Sequence, residues 1–293
     1  MDIISVLKNS KIVVQGITGN CGSMHTGLSI DYGSTNIVAG VTPGKKGQVF
    51  LGVPVFNSIK EAKQQCGCDV SIIFVPPLFA ADAILECIDN NIKLIVCISE
   101  GIPIHDMVRV RSALRNSNSI LIGPNSPGVL LVDFVRLGIF PVGIFSSGNF
   151  AVISKSGTLT YEAVMQLTKS GIGQKICIGI GGDAAHGTDM YEAFQMVKNI
   201  SDLSGILFIG EIGGSEEISL SKALQGWETE VPVFAFIAGK MAPLGQRMGH
   251  AGAIAGASNE SAESKIATLR SAGAVVIESF DKIGTTIADY IRM

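Results

Sequence analysis

The chain has 293 residues, of which 47% are hydrophobic and only 16% are charged, and its formal net charge at pH 7 is −3. This length predicts one large domain or two domains of ordinary size. The slight negative charge argues against a nucleic-acid-binding protein, which would carry a basic surface. The sequence has no run of about 18 uncharged apolar residues, so no membrane-spanning helix is expected.

The cysteine pattern bears on the cellular compartment. The six cysteines include no CxxC spacing, and the first residues lack the character of a secretory signal. We therefore expect free thiols in a reducing compartment. This favours a cytoplasmic protein, with the mitochondrial matrix as the alternative if a presequence has been removed.

The first elements in chain order are a strand, a glycine-rich turn and a helix. Residues 11–15 form an apolar run, glycines follow at positions 16, 19 and 22, and a helical pattern continues to residue 32. This order is typical of a dinucleotide or phosphate cradle, because amides at the start of the helix face the anion. The residues of this turn expected at the ligand are Thr18, Gly19, Asn20 and Cys21.

The loop after the second predicted strand, at residues 36–40, indicates the kind of nucleotide. An NAD site would place an acidic residue near this strand's end to hold the ribose hydroxyls. Here the loop carries no acid and has two lysines, Lys45 and Lys46. Because cations at this place favour an additional phosphate, the pattern favours coenzyme A (CoA) or NADP over NAD.

Strands and helices continue to alternate. Apolar runs at 70–75, 94–98 and 119–123 predict strands, and residues 80–90 and 105–116 predict helices. Alternation with short loops predicts a right-handed parallel sheet, whose ligands gather beyond the carboxyl ends of the strands. Further residues expected at those ends are Pro76, Ile98, Ser99, Glu100 and Asn125.

The second half repeats this architecture without a repeat at the residue level. Residues 129–148 contain short β-like pieces with glycines and are interpreted as a connection. Predicted strands follow at 150–154, 176–180, 206–211, 233–239 and 274–277, with helices from 157 to about 171, at 262–272 and at 283–291. We therefore predict two doubly wound α/β domains, at 1–128 and 149–293, joined by residues 129–148.

Three chemical features fall at strand ends in the second half. Ser156, Gly157 and Thr158 begin a helix and could receive a phosphate, although a plain helix cap would explain Ser156 equally well. Glu211 ends a strand, and His250 lies on a loop between Gly249 and Gly252. A carboxylate paired to one imidazole nitrogen would fix the tautomer, and the other nitrogen could attack phosphorus.

These features predict covalent catalysis through a phosphohistidine. No metal site is expected, because no second His or Cys stands at ligand spacing. The sequence also lacks the GxxxxGK[ST] phosphate loop, so the phosphate donor is expected to bind elsewhere.

Six motifs together resemble the succinyl-CoA synthetase α-subunit family, within the NDP-forming acid–CoA ligases. They are GITG at 16–19, GVTPGK at 40–45, GPN at 123–125, SGTLTYE at 156–162, GEIGG at 210–214 and GHAGA at 249–253. The resemblance spans essentially the whole chain. It implies a Rossmann-like CoA-binding domain, a flavodoxin-like ligase domain and an ATP-grasp β subunit, in an αβ or α₂β₂ assembly. That subunit would bind ATP or GTP with Mg²⁺.

The resemblance also implies roles for particular residues. His250 would be the phosphorylated residue, Glu211 its partner, and Ser156 and Thr158 would lie at the helix end that holds the phosphate. Tyr161 and Gly182 would line the site of succinate or another small acid. The implied CoA contacts are Thr18, Gly19, Asn20, Cys21, Lys45, Pro76, Ile98, Ser99, Glu100, Asn125 and Ser126.

Four positions depart from the family pattern and leave alternatives open. Ser126 and Cys21 stand where the family usually has Cys and often has Gln, respectively, and His186 lies in a turn that usually holds prolines. Lys240 occupies a position where a small or neutral residue is expected. Lys240 or His186 could therefore serve malate or a sulfonated acid. A CoA-binding module without catalysis and an NADP oxidoreductase are the remaining alternatives.

Overall fold

The computed structural model describes residues 2–34, 36–227, 229–243, 245–254, 256 and 260–292. The chain forms two compact units. The first comprises Met1–Ile139 and Ala185–Thr188, and the second comprises Phe140–Ala184 and Asp189–Met293. The division between residues 139 and 140 falls inside the segment that we predicted as a connection.

The first unit is a parallel sheet with helices between its strands. Its sheet has the order β3-β4-β2-β1-β5-β6-β7, and only the β3–β4 pair is antiparallel. Its elements are α1 (Ile3–Asn9), β1 (Ile12–Gln15), α2 (Asn20–Asp31), β2 (Ile37–Val41), β3 (Val49–Phe50), β4 (Val53–Phe56), α3 (Ile59–Cys66), β5 (Val70–Ile73), α4 (Pro77–Asp89), β6 (Leu94–Cys97), α5 (Ile104–Arg115), β7 (Ile120–Ile122), β8 (Gly128–Leu131) and β9 (Val135–Gly138).

The order of the parallel strands identifies the topology. Taken alone, the strands from β4 to β7 follow the order 3-2-1-4-5-6 of a dinucleotide-binding fold. The strand order reverses between β1 and β5, which are hydrogen-bonded neighbours. All residues of β1 and β5 are buried, as expected for strands covered by helices on both faces. The Rossmann-like prediction is therefore confirmed.

Three elements of this unit were not predicted. They are α1, the β3–β4 hairpin and α3. Helix α3 is mostly polar, with only three apolar residues among its eight, and it is defined at its ends. The Ser58 side chain accepts a hydrogen bond from Glu61 N, and Gly67 ends the helix in the left-handed region with φ +70°.

The second unit also contains parallel strands with intervening helices. Five strands follow the order β14-β13-β12-β10-β11, and every pairing among them is parallel. The elements are β10 (Ser147–Ser154), α6 (Gly157–Lys169), β11 (Gln174–Gly179), α7 (Met190–Val197), β12 (Gly205–Glu211), α8 (Glu216–Gln225), β13 (Val233–Ala238), α9 (Ala262–Ser271), β14 (Val275–Val276) and α10 (Ile283–Arg292).

This order corresponds to 2-1-3-4-5, the flavodoxin-like topology, and its reversal lies between β10 and β12. Buried aromatic rings fill the core beneath these strands. Phe150 packs against Phe234 with ring centroids 5.8 Å apart, and Phe194 packs against Phe208 at 6.1 Å. The doubly wound prediction is confirmed for this half as well.

Candidate functional site

A cavity of about 770 Å³ opens in the first unit at the reversal between β1 and β5. Open α/β sheets bind ligands at this place, in the crevice beyond the carboxyl ends of the strands. The walls come from the turn after β1, the end of β2, the segment after β5 and one face of α4. The lining residues are Gln15, Gly16, Thr18, Gly19, Val41, Thr42, Pro43, Phe74, Val75, Pro76, Phe79, Asp82, Ala83 and Glu86.

Glycines allow the turn after β1 to fold closely against α2. Gly16 has φ +79°, which L-residues rarely adopt. A Cβ atom at Gly22 would lie 2.1 Å from the carbonyl oxygen of Gly16. Position 22 therefore admits only glycine unless the backbone moves. Thr18 Oγ1 donates a hydrogen bond to Thr42 Oγ1 at 3.1 Å, which ties this turn to the loop after β2.

Three of the residues predicted at CoA line this cavity, namely Thr18, Gly19 and Pro76. The other predicted CoA residues lie at the start of α2 or on the turns that follow β2, β6 and β7, and they do not line it. They are Asn20, Cys21, Lys45, Ile98, Ser99, Glu100, Asn125 and Ser126.

The two lysines of the loop after β2 differ in their partners. Lys46 Nζ lies 3.0 Å from Glu61 Oε1, so its charge is already balanced. Lys45 is exposed and forms no ion pair within the described part of the chain. Of the two, Lys45 is therefore the one whose charge is available to a phosphate.

The turns after β6 and β7 use several of their polar groups internally. Asn125 N donates to Ser99 O at 2.8 Å, and Ser126 Oγ accepts from Gly128 N at 2.8 Å. Ser126 is nearly fully buried.

Cys21 is exposed at the start of α2, and partial burial of its thiol raises the pKa above its ordinary value. The Cys21 thiol is therefore protonated at neutral pH.

The sequence analysis did not predict that Gln15 and Phe74 line the cavity. The Gln15 amide nitrogen donates to Ala83 O at 3.1 Å, which fixes the side chain at the wall. The Phe74 ring stacks on His25 at 5.8 Å between centroids. No local signal marks these residues, because each lies at the end of a buried apolar run.

In the second unit, His250 and Glu211 meet directly. His250 Nδ1 lies 2.7 Å from Glu211 Oε2, and Glu211 is only 9% exposed at the end of β12. An ionised carboxylate only accepts hydrogen bonds, so Nδ1 carries the proton and the lone pair of the neutral ring is on Nε2.

Gly182 provides the surface on which the His250 ring packs. A Cβ atom at position 182 would lie 2.4 Å from His250 Cγ. Gly182 follows β11, Glu211 ends β12 and His250 lies on the loop after β13, so three strands of the sheet contribute to the histidine's surroundings. The predicted position of Gly182 beside the acid site is compatible with this contact.

The start of α6 presents backbone amides at the end of β10. Ser156 Oγ accepts from Leu159 N at 3.3 Å, so the hydroxyl acts as the helix cap. The amides of Gly157 and Thr158 have no acceptor among the described residues. Two N–H groups at a helix N-terminus favour an anion through direct hydrogen bonds and through the helix dipole.

The residues tied to acid specificity lie in different surroundings. Tyr161 packs edge-on against Phe140, with ring centroids 5.9 Å apart in the second unit. Lys240 Nζ lies 3.1 Å from Glu278 Oε2 on the surface. His186 is buried and belongs to the first unit. Lys240 therefore already has a carboxylate partner.

A buried group of charges beneath Glu211 was not predicted. Lys155 Nζ lies 3.4 Å from Glu216 Oε1 and 3.5 Å from Glu217 Oε1. Lys265 Nζ lies 2.6 Å from Glu217 Oε2, and both side chains are fully buried. In the sequence, Lys265 looks like one of the polar residues of an amphipathic helix, and no spacing connects it to Glu211.

Burial and pairing act on the two lysines in opposite directions. Burial lowers the pKa of Lys265 below its ordinary value, although the Glu217 carboxylate opposes this shift. Burial also acts to lower the pKa of Lys155, but the carboxylates of Glu217 and Glu216 outweigh it and raise that pKa. Both ammonium groups have carboxylates close enough to compensate them.

The described residues lack two further kinds of feature. They contain no group of three or more His, Cys, Asp or Glu side chains placed to hold a metal ion. Among these same residues, no helix is long and apolar enough to cross a membrane.

Comparison with known families agrees with the two units. A family model of a CoA-binding domain matches residues 7–101, and one described as CoA-ligase matches residues 153–275. The first match contains the cavity between β1 and β5, and the second contains Glu211 and His250. The chain is therefore a CoA ligase with a CoA-binding domain and a ligase domain.

Curated relatives identify the family within the CoA ligases to which this chain belongs. The α subunit of ADP-forming succinate–CoA ligase from Aquifex aeolicus is 48% identical over 99% of this chain and 95% of its own length. The subunit of the same name from Staphylococcus aureus strain N315 is 47% identical over 96% of this chain and 93% of its own. This chain belongs to the family of succinate–CoA ligase α subunits.

Solved structures show a similar fold in longer chains. An ATP citrate lyase from Methanothrix soehngenii, solved with citrate and coenzyme A, is 25% identical with a TM-score of 0.88, and the match covers 97% of this chain. This chain spans about half the length of that lyase chain, with 50% covered. A dinucleotide-forming acetyl-coenzyme A synthetase from Ca. Korarchaeum cryptofilum, 18% identical with a TM-score of 0.77, shares the fold.

Proposed function

We propose that this chain is the α subunit of an ADP-forming succinate–CoA ligase in which His250 carries the phosphoryl group. The observation that supports this most directly is the 2.7 Å contact between His250 Nδ1 and Glu211 Oε2. This contact supports a ring proton on Nδ1 and therefore a nucleophilic lone pair on Nε2. The amides of Gly157 and Thr158, which have no acceptor in the described part of the chain, lie at the end of β10, the strand next to β12.

In the first step, Nε2 of His250 attacks the γ-phosphorus of ATP. The N–P bond forms, the P–O bond to ADP breaks, and ADP leaves. Glu211 stabilises the positive charge that develops on the ring. The amides of Gly157 and Thr158 are positioned to stabilise the phosphoryl oxygens, as fixed dipoles do at other helix N-termini.

The second step returns the histidine to its starting state. A carboxylate oxygen of succinate attacks phosphorus, the N–P bond breaks, and its electron pair returns to Nε2. The product is succinyl phosphate. Tyr161 and Gly182 are proposed to border the acid, and Gly182 leaves room for the ring of His250.

The cavity of the first unit is proposed to bind CoA, whose thiol, after losing its proton, supplies the nucleophile that displaces phosphate from the acyl carbon. A volume of about 770 Å³ suits a large ligand, and glycines allow the turn after β1 to approach it closely. Lys45 would pair with a phosphate. The remaining proposed contacts are Thr18, Gly19, Asn20, Cys21, Pro76, Ile98, Ser99, Glu100, Asn125 and Ser126.

The partner and the compartment are also proposals. The relatives are named as α subunits, which supports a β subunit, proposed to have an ATP-grasp fold and to bring ATP and Mg²⁺ to His250. Their names support ADP formation and succinate rather than another acid. The six cysteines form no disulfide among the described residues, which supports a reducing compartment such as the cytoplasm.

The proposal is tested by transfer of label from γ-³²P-ATP. The chain, its β subunit and Mg²⁺ should give an acid-labile, base-stable label that peptide mapping places on His250. The variant His250→Ala should take up no label. The variant His105→Ala, which changes an exposed histidine of α5, should be labelled like the wild type. Label at another residue, or its absence in the wild type, would contradict the proposed role of His250.

A further inference from the structure

We infer that Lys265 and Glu217 act as positioning residues for the phosphohistidine reaction, by fixing the backbone of Glu211 from both sides. The inference rests on the proposed function of His250. The N–H of Glu211 donates to Glu217 Oε1 at 3.3 Å, and the carbonyl oxygen of Glu211 accepts from Lys265 Nζ at 2.7 Å. Glu217 Oε2 and Lys265 Nζ lie 2.6 Å apart. The ion pair therefore holds both polar groups of the Glu211 backbone.

The Lys265 ammonium group has three close partners in the second unit. Lys265 Nζ donates to Glu211 O, to Gly213 O at 2.6 Å, and pairs with Glu217. Of the three donors of an ammonium group, two are bonded to these carbonyl oxygens, and the Glu217 carboxylate compensates the charge. The side chain is thus held in one orientation, and it holds two carbonyls of the segment that leads away from the catalytic carboxylate.

The same lysine also fixes the segment that packs against the histidine loop. Gly213 has φ +83°, and a Cβ atom there would lie 2.1 Å from the carbonyl oxygen of Gly252. Gly252 is two residues from His250. Lys265 therefore sets the position of Glu211 and, through Gly213, of the loop that presents the imidazole.

Stability alone does not account for this ion pair. The side chains of Lys265 and Glu217 have no solvent exposure. Removing two charges from water is costly, and replacing such a pair with neutral residues of similar size is often neutral or stabilising. A buried pair whose contacts converge on the backbone of Glu211 is better explained by the geometry that it imposes there.

The consequence for the reaction lies in the Glu211–His250 contact. At 2.7 Å, the carboxylate selects the tautomer with the proton on Nδ1. A displacement of about 1 Å would take this contact beyond hydrogen-bond distance and remove the selection. The charged side chains around Glu211 are Lys155, Glu216, Glu217, Lys265 and His250. Of the two lysines, only Lys265 donates to the backbone of Glu211.

The test uses a double variant that keeps the interior neutral. Lys265→Met with Glu217→Gln removes both charges, and the amide carbonyl introduced at position 217 would still accept from Glu211 N. We expect the rate of His250 phosphorylation and kcat to fall by about 10- to 100-fold, as when groups that orient a reacting imidazole are lost. The KM values for CoA and succinate should remain unchanged.

The decisive readout is the tautomer of His250, measured by ¹⁵N NMR on the full chain, labelled at histidine and bound to its β subunit. The wild type should carry the proton on Nδ1, and the double variant should show a mixture of both tautomers. A merely structural role would not change the tautomer in a folded protein. Lys175→Met with Asp202→Asn removes a partly exposed ion pair of the same unit and should behave like the wild type.

A folded double variant with the wild-type tautomer and phosphorylation rate would overturn the inference. If the double variant fails to fold, Glu217→Asp provides the measurement, because it keeps the buried pair charged and shortens the side chain by one methylene, which withdraws the carboxylate from Glu211 N. It should change the tautomer in the same direction and by less, and no change would also contradict the inference. Failure of the proposed function would be distinct, since the wild type itself would then carry no label on His250.

Discussion

A glycine determines whether the His250 ring can occupy its place. A Cβ atom at Gly182 would come within 2.4 Å of His250 Cγ, 2.5 Å of Nδ1 and 2.6 Å of Cδ2, so Gly182→Ala must displace the imidazole from Glu211. We expect His250 phosphorylation to fall by about 100-fold, the cost of a displacement near 1 Å in a catalytic group. Quenched-flow labelling with γ-³²P-ATP measures this rate.

The matched control is Gly226→Ala at the end of α8. A Cβ atom there meets no atom within 4 Å, and the backbone φ of −98° is ordinary. This variant should be phosphorylated at the wild-type rate. Equal rates for the two variants would show that the ring does not depend on position 182.

At the same scale, His25 makes the stability of the first unit depend on pH. Arg136 Nη2 lies 3.0 Å from His25 Nδ1, and a guanidinium group can only donate, so Nδ1 accepts and the ring is neutral. Burial, together with the charge of Arg136, lowers the pKa of His25. The unfolded chain therefore takes up the proton first as the pH falls.

The sign of the effect follows from this difference. The contribution of His25 to the free energy of unfolding is fully present above the unfolded pKa of about 6.5 and is lost as the pH falls toward the folded pKa. His25→Gln keeps an acceptor for Arg136 and cannot titrate, so its urea midpoint should fall less between pH 7.5 and pH 5.5. Identical pH dependence in variant and wild type, followed by circular dichroism, would contradict this assignment.

At the scale of elements, two glycines of α2 have opposite roles. Gly22→Ala would place Cβ 2.1 Å from the Gly16 carbonyl and separate the helix from the turn that borders the cavity. CoA affinity should fall at least tenfold, and calorimetric titration of the full chain with CoA measures this. Gly27→Ala would place Cβ 3.8 Å from Leu51 Cδ1, an ordinary contact. It should retain CoA affinity and gain about 0.5–1 kcal/mol in unfolding free energy from better helix propensity.

The elements also show what the sequence could and could not predict. The parallel strands were predictable because burial on both faces produces continuous apolar runs such as 70–75 and 94–98. Helix α3 was not predicted, because only three of its eight residues are apolar, although Ser58 and Gly67 are start and stop signals for a helix. The sequence indicated Glu211 because it ends an apolar run, and it indicated His250 because that residue lies between glycines on a loop. It did not indicate Lys265. Its role depends on contacts across more than 50 positions of the chain.

At the scale of the whole molecule, each unit has its own strand-order reversal and its own candidate site. The cavity walls all belong to the first unit, whereas Glu211 and His250 belong to the second. CoA binding should therefore be separable from phosphorylation. His250→Ala should bind CoA within about twofold of the wild-type Kd, because no cavity contact is lost. A large loss of CoA affinity in this variant, measured by calorimetry, would show that the histidine loop supports the cavity.

The β3–β4 hairpin has a consequence for the behaviour of the chain at high concentration. It lies at one end of the first unit's sheet, where β3 has only two residues and Pro54 of β4 pairs with Val49. Open sheet edges are templates on which other copies of a chain assemble, and short strands and proline discourage this growth. A chain lacking this hairpin would present β2 as a longer edge of mostly buried apolar residues, and aggregation would then compete with folding.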